Sequence, residues 1–453
     1  MLRTRLSITM APHMSDIQKM RKLGGDKIGL LGLFALALLA ARLTVAWKSA
    51  ISFSEPIPLP HTGLSVSMPM GKGWHSEGRW EYTDNTFIVR SVFAPRSGKP
   101  TAWAHCQYRL GADTAAPDVQ LERKASEVDG EIVKTGQVQA ADLTVHWARV
   151  ERPEILLTTF SGTARLPNER QLDIEVHQIM SDPELSERVF KRILEGLSFK
   201  DDGLLEGGAE VTATIKGKGI NNYLDNHNQQ AAFLIKGSAG QLLGFTMDVL
   251  VDSGKDVRLN VRAAGLLYIG GRNAVEQETS FQSSNNLDEF TYRSEVYSGE
   301  GRSGSEVVQD APGTVTVRTS GPRTDAKAYR LGPAALPDVF FDQVFRQMLD
   351  SDKQEIIVDA IDATGKITPT FVSRIEAMND IVAGSDAAYV FNLAYLDGRG
   401  FSQQVYLDAQ GKIYRSLIQQ ENTYVLDRTS IEDIVKEFPE HAERILRNSQ
   451  MLK

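Results

Sequence analysis

Histidines are the side chains of this sequence that are best suited to bind a metal ion. Three of them, His105, His146 and His177, fall on segments that alternate apolar and polar residues and are therefore predicted strands. Neighbouring strands could bring these imidazoles together, but their separations match no recognised ligand spacing. Strand histidines are more often polar-face residues, so the sequence predicts no metal site; the other histidines are His13, His61, His75, His227 and His441.

The remaining reactive side chains form no catalytic arrangement. Cys106 follows His105, but adjacent strand residues point to opposite faces, so they cannot act as a nucleophile and its base. A buried, inert thiol is predicted instead, on the face of Ala104 and Tyr108. No catalytic residue and no enzyme activity are predicted, because G-x-S-x-G, H-E-x-x-H and P-loop motifs are absent. Asp248, Asp252 and Asp256 lack the spacing of a calcium loop. Gly217–Gly219 and Gly270–Gly271 are predicted turns, not phosphate-binding loops, because neither belongs to a strand–loop–helix unit.

Composition is that of a globular protein with enough chain for two or three domains. The 453 residues are 42% hydrophobic and 24% charged, and the net charge of −8 argues against nucleic acid as a partner. The single cysteine excludes an intramolecular disulfide and any cysteine-cluster metal centre. No cofactor is predicted.

The most apolar stretch lies near the N-terminus. Residues 28–41 carry no charge, and with the continuation to Trp47 they reach the length needed to span a bilayer. A basic leader, residues 1–27, precedes them and favours a cytoplasmic N-terminus. A cleaved signal peptide and a buried soluble helix remain alternatives. A retained single-pass anchor in the inner membrane is predicted, with the later domains periplasmic or otherwise extracytoplasmic and with anchor side chains Ile28, Leu31, Phe34, Leu38 and Trp47.

A proline-containing linker, residues 48–60, is followed by a predicted domain at 61–200. Its strands alternate, and a helix is predicted from Pro183 to Glu195, ended by Gly196. The first and last segments of this domain resemble the PsbP/DcrB/Mog1-like family. The first segment is Gly63-Leu64-Ser65-Val66-Ser67-Met68-Pro69, followed by Trp74; the last contains Val189, Phe190, Ile193 and Leu194 before Gly196–Phe199. The resemblance implies an antiparallel sheet packed with helices in a binding or accessory module.

A second linker is predicted at 201–208, followed by a strand-rich domain at 209–453 with a strand at Val211–Ile215. The segment Pro337–Asp350 is predicted as a helix that is apolar over more than half its circumference and must be buried on most sides. The order of elements resembles that of the LolA/LolB-like or DUF3108-like clamshell: many strands, one apolar helix and then more strands. The strand–turn–strand at Tyr406–Ile413 resembles the one near the end of such domains. That resemblance implies an apolar concavity, with predicted ligand-binding residues Phe340, Phe341, Val344, Phe345 and Met348.

The predicted fold class is therefore α+β. A transmembrane helix precedes an antiparallel, sandwich-like α/β domain and a larger curved antiparallel sheet with a buried apolar helix. The predicted function is that of a membrane-anchored, extracytoplasmic, non-catalytic binding or accessory protein, with a lipid or apolar peptide as ligand. The alternative is a structural subunit of an envelope complex, in which the apolar helix is ordinary core; an enzyme ranks third.

Overall fold

The computed structural model describes residues 51–94, 98–179, 183–201, 203–219, 228–252, 258–269, 273–298, 301–320, 325–375, 387–397, 400–420 and 422–449. Within these ranges, no helix is long and apolar enough to cross a membrane. The predicted leader and anchor (1–47), the first residues of the predicted linker (48–50), and His13, His227, Asp256, Gly270 and Gly271 lie outside the described residues.

The N-terminal part is built on an eight-stranded antiparallel sheet with strand order β5-β7-β8-β12-β11-β10-β9, in which β6 also pairs with β7. Part of the predicted linker is packed, because β2 pairs with β3 and the indole of Trp80 donates to the carbonyl of Ile57. The strands are β1 (Ser52–Phe53), β2 (Ile57–Pro58), β3 (Leu64–Val66), β4 (Pro69–Met70), β5 (Trp74–Ser76), β6 (Glu81–Thr83), β7 (Thr86–Phe93), β8 (Ala102–Arg109), β9 (Glu131–Ala140), β10 (Leu143–Arg152), β11 (Leu157–Leu166), β12 (Arg170–Ile179) and β13 (Ser198–Phe199).

Two helices cover opposite faces of this sheet: α1 (Pro117–Glu127) and α2 (Pro183–Glu195). Leu121 of α1 belongs to a buried apolar cluster with Ala148 of β10. The ring of Phe190 in α2 stacks on that of Phe160 in β11, 5.7 Å away. Because Ala148 is paired with Ser161, it shares a face with Ser161, and Phe160 points the other way. The predicted bounds of α2 are confirmed.

A third helix, α3 (Leu204–Lys218), occupies the segment that the sequence divides into a linker and a strand. The predicted strand at Val211–Ile215 is wrong. Burial of Gly208, Val211, Thr212 and Ile215 repeats at helical spacing, and the helix lies along β23 (Glu355–Ile361). Tertiary packing therefore outweighs the strand preference of the β-branched residues.

The C-terminal part is a sheet of fifteen strands in the order β21-β20-β19-β18-β17-β16-β15-β14-β28-β27-β26-β25-β24-β23-β22. The neighbours are antiparallel except the β22–β23 pair. The other strands are β14 (Asn228–Gly237), β15 (Leu242–Asp252), β16 (Arg258–Ile269), β17 (Asn273–Ser284), β18 (Phe290–Ser298), β19 (Gly301–Ala311), β20 (Thr314–Ser320), β21 (Asp325–Arg330), β22 (Ala335–Pro337), β24 (Ile367–Ile375), β25 (Tyr389–Tyr395), β26 (Ser402–Leu407), β27 (Ile413–Gln419) and β28 (Thr423–Arg428).

The predicted apolar helix is shorter than expected. Residues Ala335–Pro337 form β22, Asp338–Phe340 form one 3₁₀ turn, and α4 runs over Phe341–Ser351. The chain then ends in α5 (Ile431–Glu437) and α6 (Ala442–Ser449), which pack with Phe245 of β15 in one apolar cluster. The mostly antiparallel, β-rich architecture with a few helices is confirmed.

The large sheet curves around α4. The ring of Phe340 lies 5.1 Å from that of Phe281 in β17, and the ring of Phe345 lies 4.9 Å from that of Phe391 in β25. These strands are seven steps apart in the sheet, which is about 34 Å if the sheet were flat. A single helix about 10 Å wide reaches both only if the sheet bends around it. The face that contacts α4 is therefore concave.

Candidate functional site

Most of the predicted ligand-binding side chains of α4 lie in the core. Phe340 and Phe345 are 2% exposed, and Val344 and Met348 are fully buried. Only Phe341 is half-buried, with its ring 5.9 Å from that of Phe345. Their role in ligand binding stays a prediction, and the accessible apolar surface in this group is that of Phe341.

The concave face next to this helix carries one polar row beside the apolar row that contains Phe281 and Val307. The strand register places one row of small residues side by side on it, and the row runs from Asp248 in β15 to Ser305 in β19. In the adjacent row, the hydroxyl of Tyr292 donates to Oδ1 of Asp338 over 2.7 Å. Asp338 lies in the 3₁₀ turn before α4, and Asp342 lies in the first turn of α4. The described side chains of the row are those of Asp248, Thr279, Ser294 and Ser305.

Electrostatics single out three carboxyl groups on this face. Burial raises the pKa of Asp338 to about 7, and the negative charges of Asp362 and Asp248 act in the same direction. Burial, together with the charge of Asp342, raises the pKa of Asp248 to about 6. The pKa of Asp342 is also raised by burial, although Arg346 lowers it.

Strand register places Asp248 on the concave face, and the hydrogen bond from Tyr292 places Asp338 against the same face, just before Asp342 at the start of α4. Asp338 and Asp248 are exposed and Asp342 is half-buried. A carboxyl group that solvent can reach, but that protein surrounds closely enough to hinder its ionisation, lies in a recess. We refer to Asp248, Asp338 and Asp342 as the acidic recess.

An unsatisfied amide oxygen stands beside the acidic recess. Nε2 of Gln343 donates to Oδ2 of Asp342 over 3.0 Å, which holds the amide against the carboxyl group. Oε1 of Gln343 has no hydrogen-bond partner, and the side chain is 2% exposed. A buried acceptor without a partner is costly, so a hydrogen-bond donor at this position would stabilise the recess.

The second cluster lies on the α1 face of the N-terminal sheet. Nε2 of His105 in β8 and Nε2 of His177 in β12 each lie 3.1 Å from Oε2 of Glu175. One nitrogen or oxygen atom from each residue lies within 4.8 Å of the other two, a grouping able to hold a metal ion. We call these three residues the His–Glu–His cluster. His146, which the sequence groups with the other two, lies on β10, where its Nδ1 is 3.3 Å from Nε2 of Gln137.

Charged neighbours keep Glu175 ionised. Burial alone would raise its pKa, but the hydrogen bonds of His105 and His177, together with the charge of Lys124, hold it well below its usual range. Nζ of Lys124 lies 2.6 Å from Oε1 of Glu175 and 3.4 Å from the buried Asp173. Without an ion, the cluster is a satisfied hydrogen-bond network.

Glu175 and the acidic recess do not appear among the residues singled out in the sequence, although both have a local signal. Polar residues occupy every second position of β12 from Gln171 to His177, so they share one face of the strand. Asp338 and Asp342 have helical spacing at the start of an apolar helix.

Comparison with known proteins adds little. No family model matches the chain, and no curated protein matches its sequence. The resemblances to PsbP/DcrB/Mog1-like and LolA/LolB-like or DUF3108-like domains therefore stay predictions.

Two solved structures show weak likeness. One is the crystal structure of a β-barrel-like protein of the domain of unknown function DUF1849 from Brucella abortus, at 12% identity and a TM-score of 0.34, over 45% of this chain and 96% of that one. The other is the tail fiber of Staphylococcus aureus phage P68, at 8% identity and a TM-score of 0.11, over 77% of this chain and 63% of that one. Likeness at this level assigns neither a fold nor a function.

Proposed function

We propose that this protein is a non-catalytic binding protein of the cell envelope, anchored through residues 28–47, and that the concave face of its large sheet binds an apolar peptide segment that carries a basic side chain. The observation that carries the ligand proposal is the acidic recess next to the half-buried Phe341. The basic group would occupy the recess, and its apolar neighbour would contact Phe341.

A cation is the chemical complement of the recess. Burial and the negative charge of Asp342 both raise the pKa of Asp248, so they disfavour its carboxylate form. An ammonium or guanidinium group would form charge-assisted hydrogen bonds with the carboxylates and would remove that disadvantage.

The recess favours a peptide over a lipid. Lipid head groups generally carry a phosphate, and its negative charge would be repelled by Asp248, Asp338 and Asp342. A lysine or arginine beside an apolar residue carries no such charge. The rival role, a structural subunit with no small ligand, draws support from the burial of Phe340, Val344, Phe345 and Met348.

The test uses a fluorescein-labelled peptide of alternating leucine and lysine, titrated with the purified full chain in detergent and followed by fluorescence anisotropy. Wild type should bind it, and Asp338→Asn and Asp248→Asn should each weaken binding at least tenfold. Asp310→Asn is the matched control, because Asp310 is an exposed aspartate of the same sheet outside the recess. It removes the same net charge and should bind like wild type.

Two outcomes would contradict the ligand proposal. One is the absence of binding by wild type. The other is an equal loss in Asp310→Asn and Asp338→Asn, which would reveal a general attraction of the peptide to an acidic protein. The anchor is tested separately: after cell fractionation, the full chain should sediment with membranes, whereas a chain without residues 2–47 should not.

A further inference from the structure

We infer that the His–Glu–His cluster is a binding site for a divalent first-row metal ion, with Zn²⁺ as the expected occupant, and that His105, Glu175 and His177 are its protein ligands. The site lies on the N-terminal sheet and is independent of the peptide site proposed above.

The spacing of the ligand atoms carries the inference. Both imidazole Nε2 atoms converge on the same carboxylate oxygen, each at 3.1 Å. Ligands around a tetrahedral zinc, at bond lengths of about 2.0–2.1 Å, are separated from one another by about 3.3 Å. Small side-chain movements would therefore convert the two hydrogen bonds into three metal–ligand bonds.

The surroundings hold the ligands in place. Oγ1 of Thr159 lies 3.0 Å from Nδ1 of His177, and the ring of Trp103 stacks on the same imidazole at 5.2 Å. A hydrogen bond at Nδ1 is the usual support for a histidine that binds metal through Nε2, because it fixes both the ring and the tautomer. The Thr159 hydroxyl can accept from Nδ1–H when Nε2 is a ligand.

The local charges are compatible with a cation. Lys124 pairs with Oε1 of Glu175 and leaves Oε2 facing the imidazoles. The positive charge of Lys124 opposes metal binding, and the fully buried Asp173, which lies 3.4 Å from its Nζ and also pairs with Arg109 at 2.8 Å, offsets part of that charge. The side chains of His105 and Glu175 keep 16% and 15% of their surface exposed, so water can reach the ion and complete a four-coordinate shell.

The test titrates the EDTA-treated full chain in detergent with ZnCl₂ by calorimetry, and with CoCl₂ by absorption and tryptophan fluorescence. Wild type should bind one zinc ion per chain. Cobalt should give the visible bands of a tetrahedral site, and it should quench emission less in Trp103→Phe than in wild type. His105→Gln and Glu175→Gln should each weaken zinc binding at least tenfold, whereas His146→Gln should bind like wild type because His146 lies outside the cluster.

Circular dichroism and thermal melting of each variant separate a lost ligand from a lost fold. His105→Gln is the decisive variant, since His105 is more exposed than His177 and its replacement disturbs less packing. Zinc should raise the melting temperature of wild type but not that of His105→Gln. The inference is overturned if wild type binds no zinc, or if a folded His105→Gln protein binds zinc as tightly as His146→Gln does. Neither outcome would bear on the peptide site, which the anisotropy experiment tests separately.

Discussion

At the residue scale, His105 and Cys106 of β8 show that residues adjacent in sequence point to opposite faces of the sheet. His105 points to the α1 face, where it meets Glu175. Cys106 points to the other face, is fully buried, and pairs across the sheet with Ile174. The alternation of strand residues therefore excludes a cysteine–histidine pair but permits a cluster across neighbouring strands.

Cys106 should be inert in the folded protein. Burial, followed by the negative charge of Asp173, raises the pKa of its thiol, so the reactive thiolate is disfavoured. A maleimide reagent should label it only under conditions that unfold the chain. Cys106→Ala should lower the free energy of unfolding by about 1 kcal/mol, measured by urea denaturation. Rapid labelling of native protein would contradict the structural role.

Asp338 should make stability fall as pH rises. Its folded-state pKa of about 7 is above the ordinary value of 3.8, so the native state binds more protons between those limits. The free energy of unfolding should therefore decrease from about pH 4 to about pH 7. Asp338→Asn, which keeps an acceptor for the Tyr292 hydroxyl, should reduce this slope in urea denaturation series, whereas Asp310→Asn should not. Equal slopes in wild type and Asp338→Asn would contradict the assignment.

At the element scale, α3 shows how a glycine permits two elements to touch. A Cβ atom at Gly208 would lie 1.7 Å from the carbonyl oxygen of Ile357 in β23. The absence of a side chain at this position therefore lets the helix lie directly on the strand. The same glycine content, DDGLLEGG, predicts a linker when only local preference is considered.

The two glycines Gly208 and Gly217 of α3 should respond to alanine in opposite directions. Gly208→Ala should lower the free energy of unfolding by about 1–3 kcal/mol, because the helix must move away from β23. A Cβ at Gly217 meets no atom within 4 Å, so Gly217→Ala should raise the free energy of unfolding by up to about 1 kcal/mol through helix propensity. Urea denaturation of both variants provides the comparison. Stabilisation by both substitutions would show that α3 does not press on the strand.

At the scale of the whole molecule, direct contacts connect the N-terminal sheet to the fifteen-strand sheet, and the described residues from Phe53 onward belong to one compact unit. Nη2 of Arg170 in β12 pairs with Oδ2 of Asp359 in β23 at 2.5 Å, with both side chains buried. The amide of Asn85 donates to the carbonyl of Gly365, and the ring of His61 stacks on that of Phe371. Unfolding of this part of the chain should therefore be one cooperative transition.

Removing only one partner of the buried Arg170–Asp359 pair should lower the free energy of unfolding strongly, whereas removing both partners should lower it much less. Burial disfavours the charged form of both partners, and their mutual attraction opposes that effect, so the net stabilisation by the pair is smaller than the cost of leaving one charge unpaired. Arg170→Met should lower the free energy of unfolding by about 3–5 kcal/mol because it leaves Asp359 buried without a counter-ion. The double variant Arg170→Met/Asp359→Leu should recover most of that loss in urea denaturation.

Arg165→Ala is the control for this comparison. Arg165 pairs with Glu169 on the surface at 3.6 Å, with 44% of its side chain exposed, so its loss should lower the free energy of unfolding by less than about 1 kcal/mol. A loss in Arg170→Met no larger than that in Arg165→Ala would mean that the buried pair does not hold the two sheets together.

The sequence alone determined the elements whose patterns are local. Alternation predicted the β-rich, antiparallel class and the buried face of Cys106, while capping and apolar spacing predicted the bounds of Pro183–Glu195. These features follow from periods of two and of about 3.6 residues, which neighbouring positions reveal without knowledge of distant contacts.

Only the tertiary structure decided which distant residues meet. Glu175 joins His105 because β8 and β12 are neighbours in the sheet, although 70 positions separate these residues. Asp248 and Asp338 share a recess because a fifteen-strand sheet bends around α4, and Leu204–Lys218 is helical because Gly208 fits against β23. Strand order, sheet curvature and the packing of one element on another depend on the whole chain, and no local pattern encodes them.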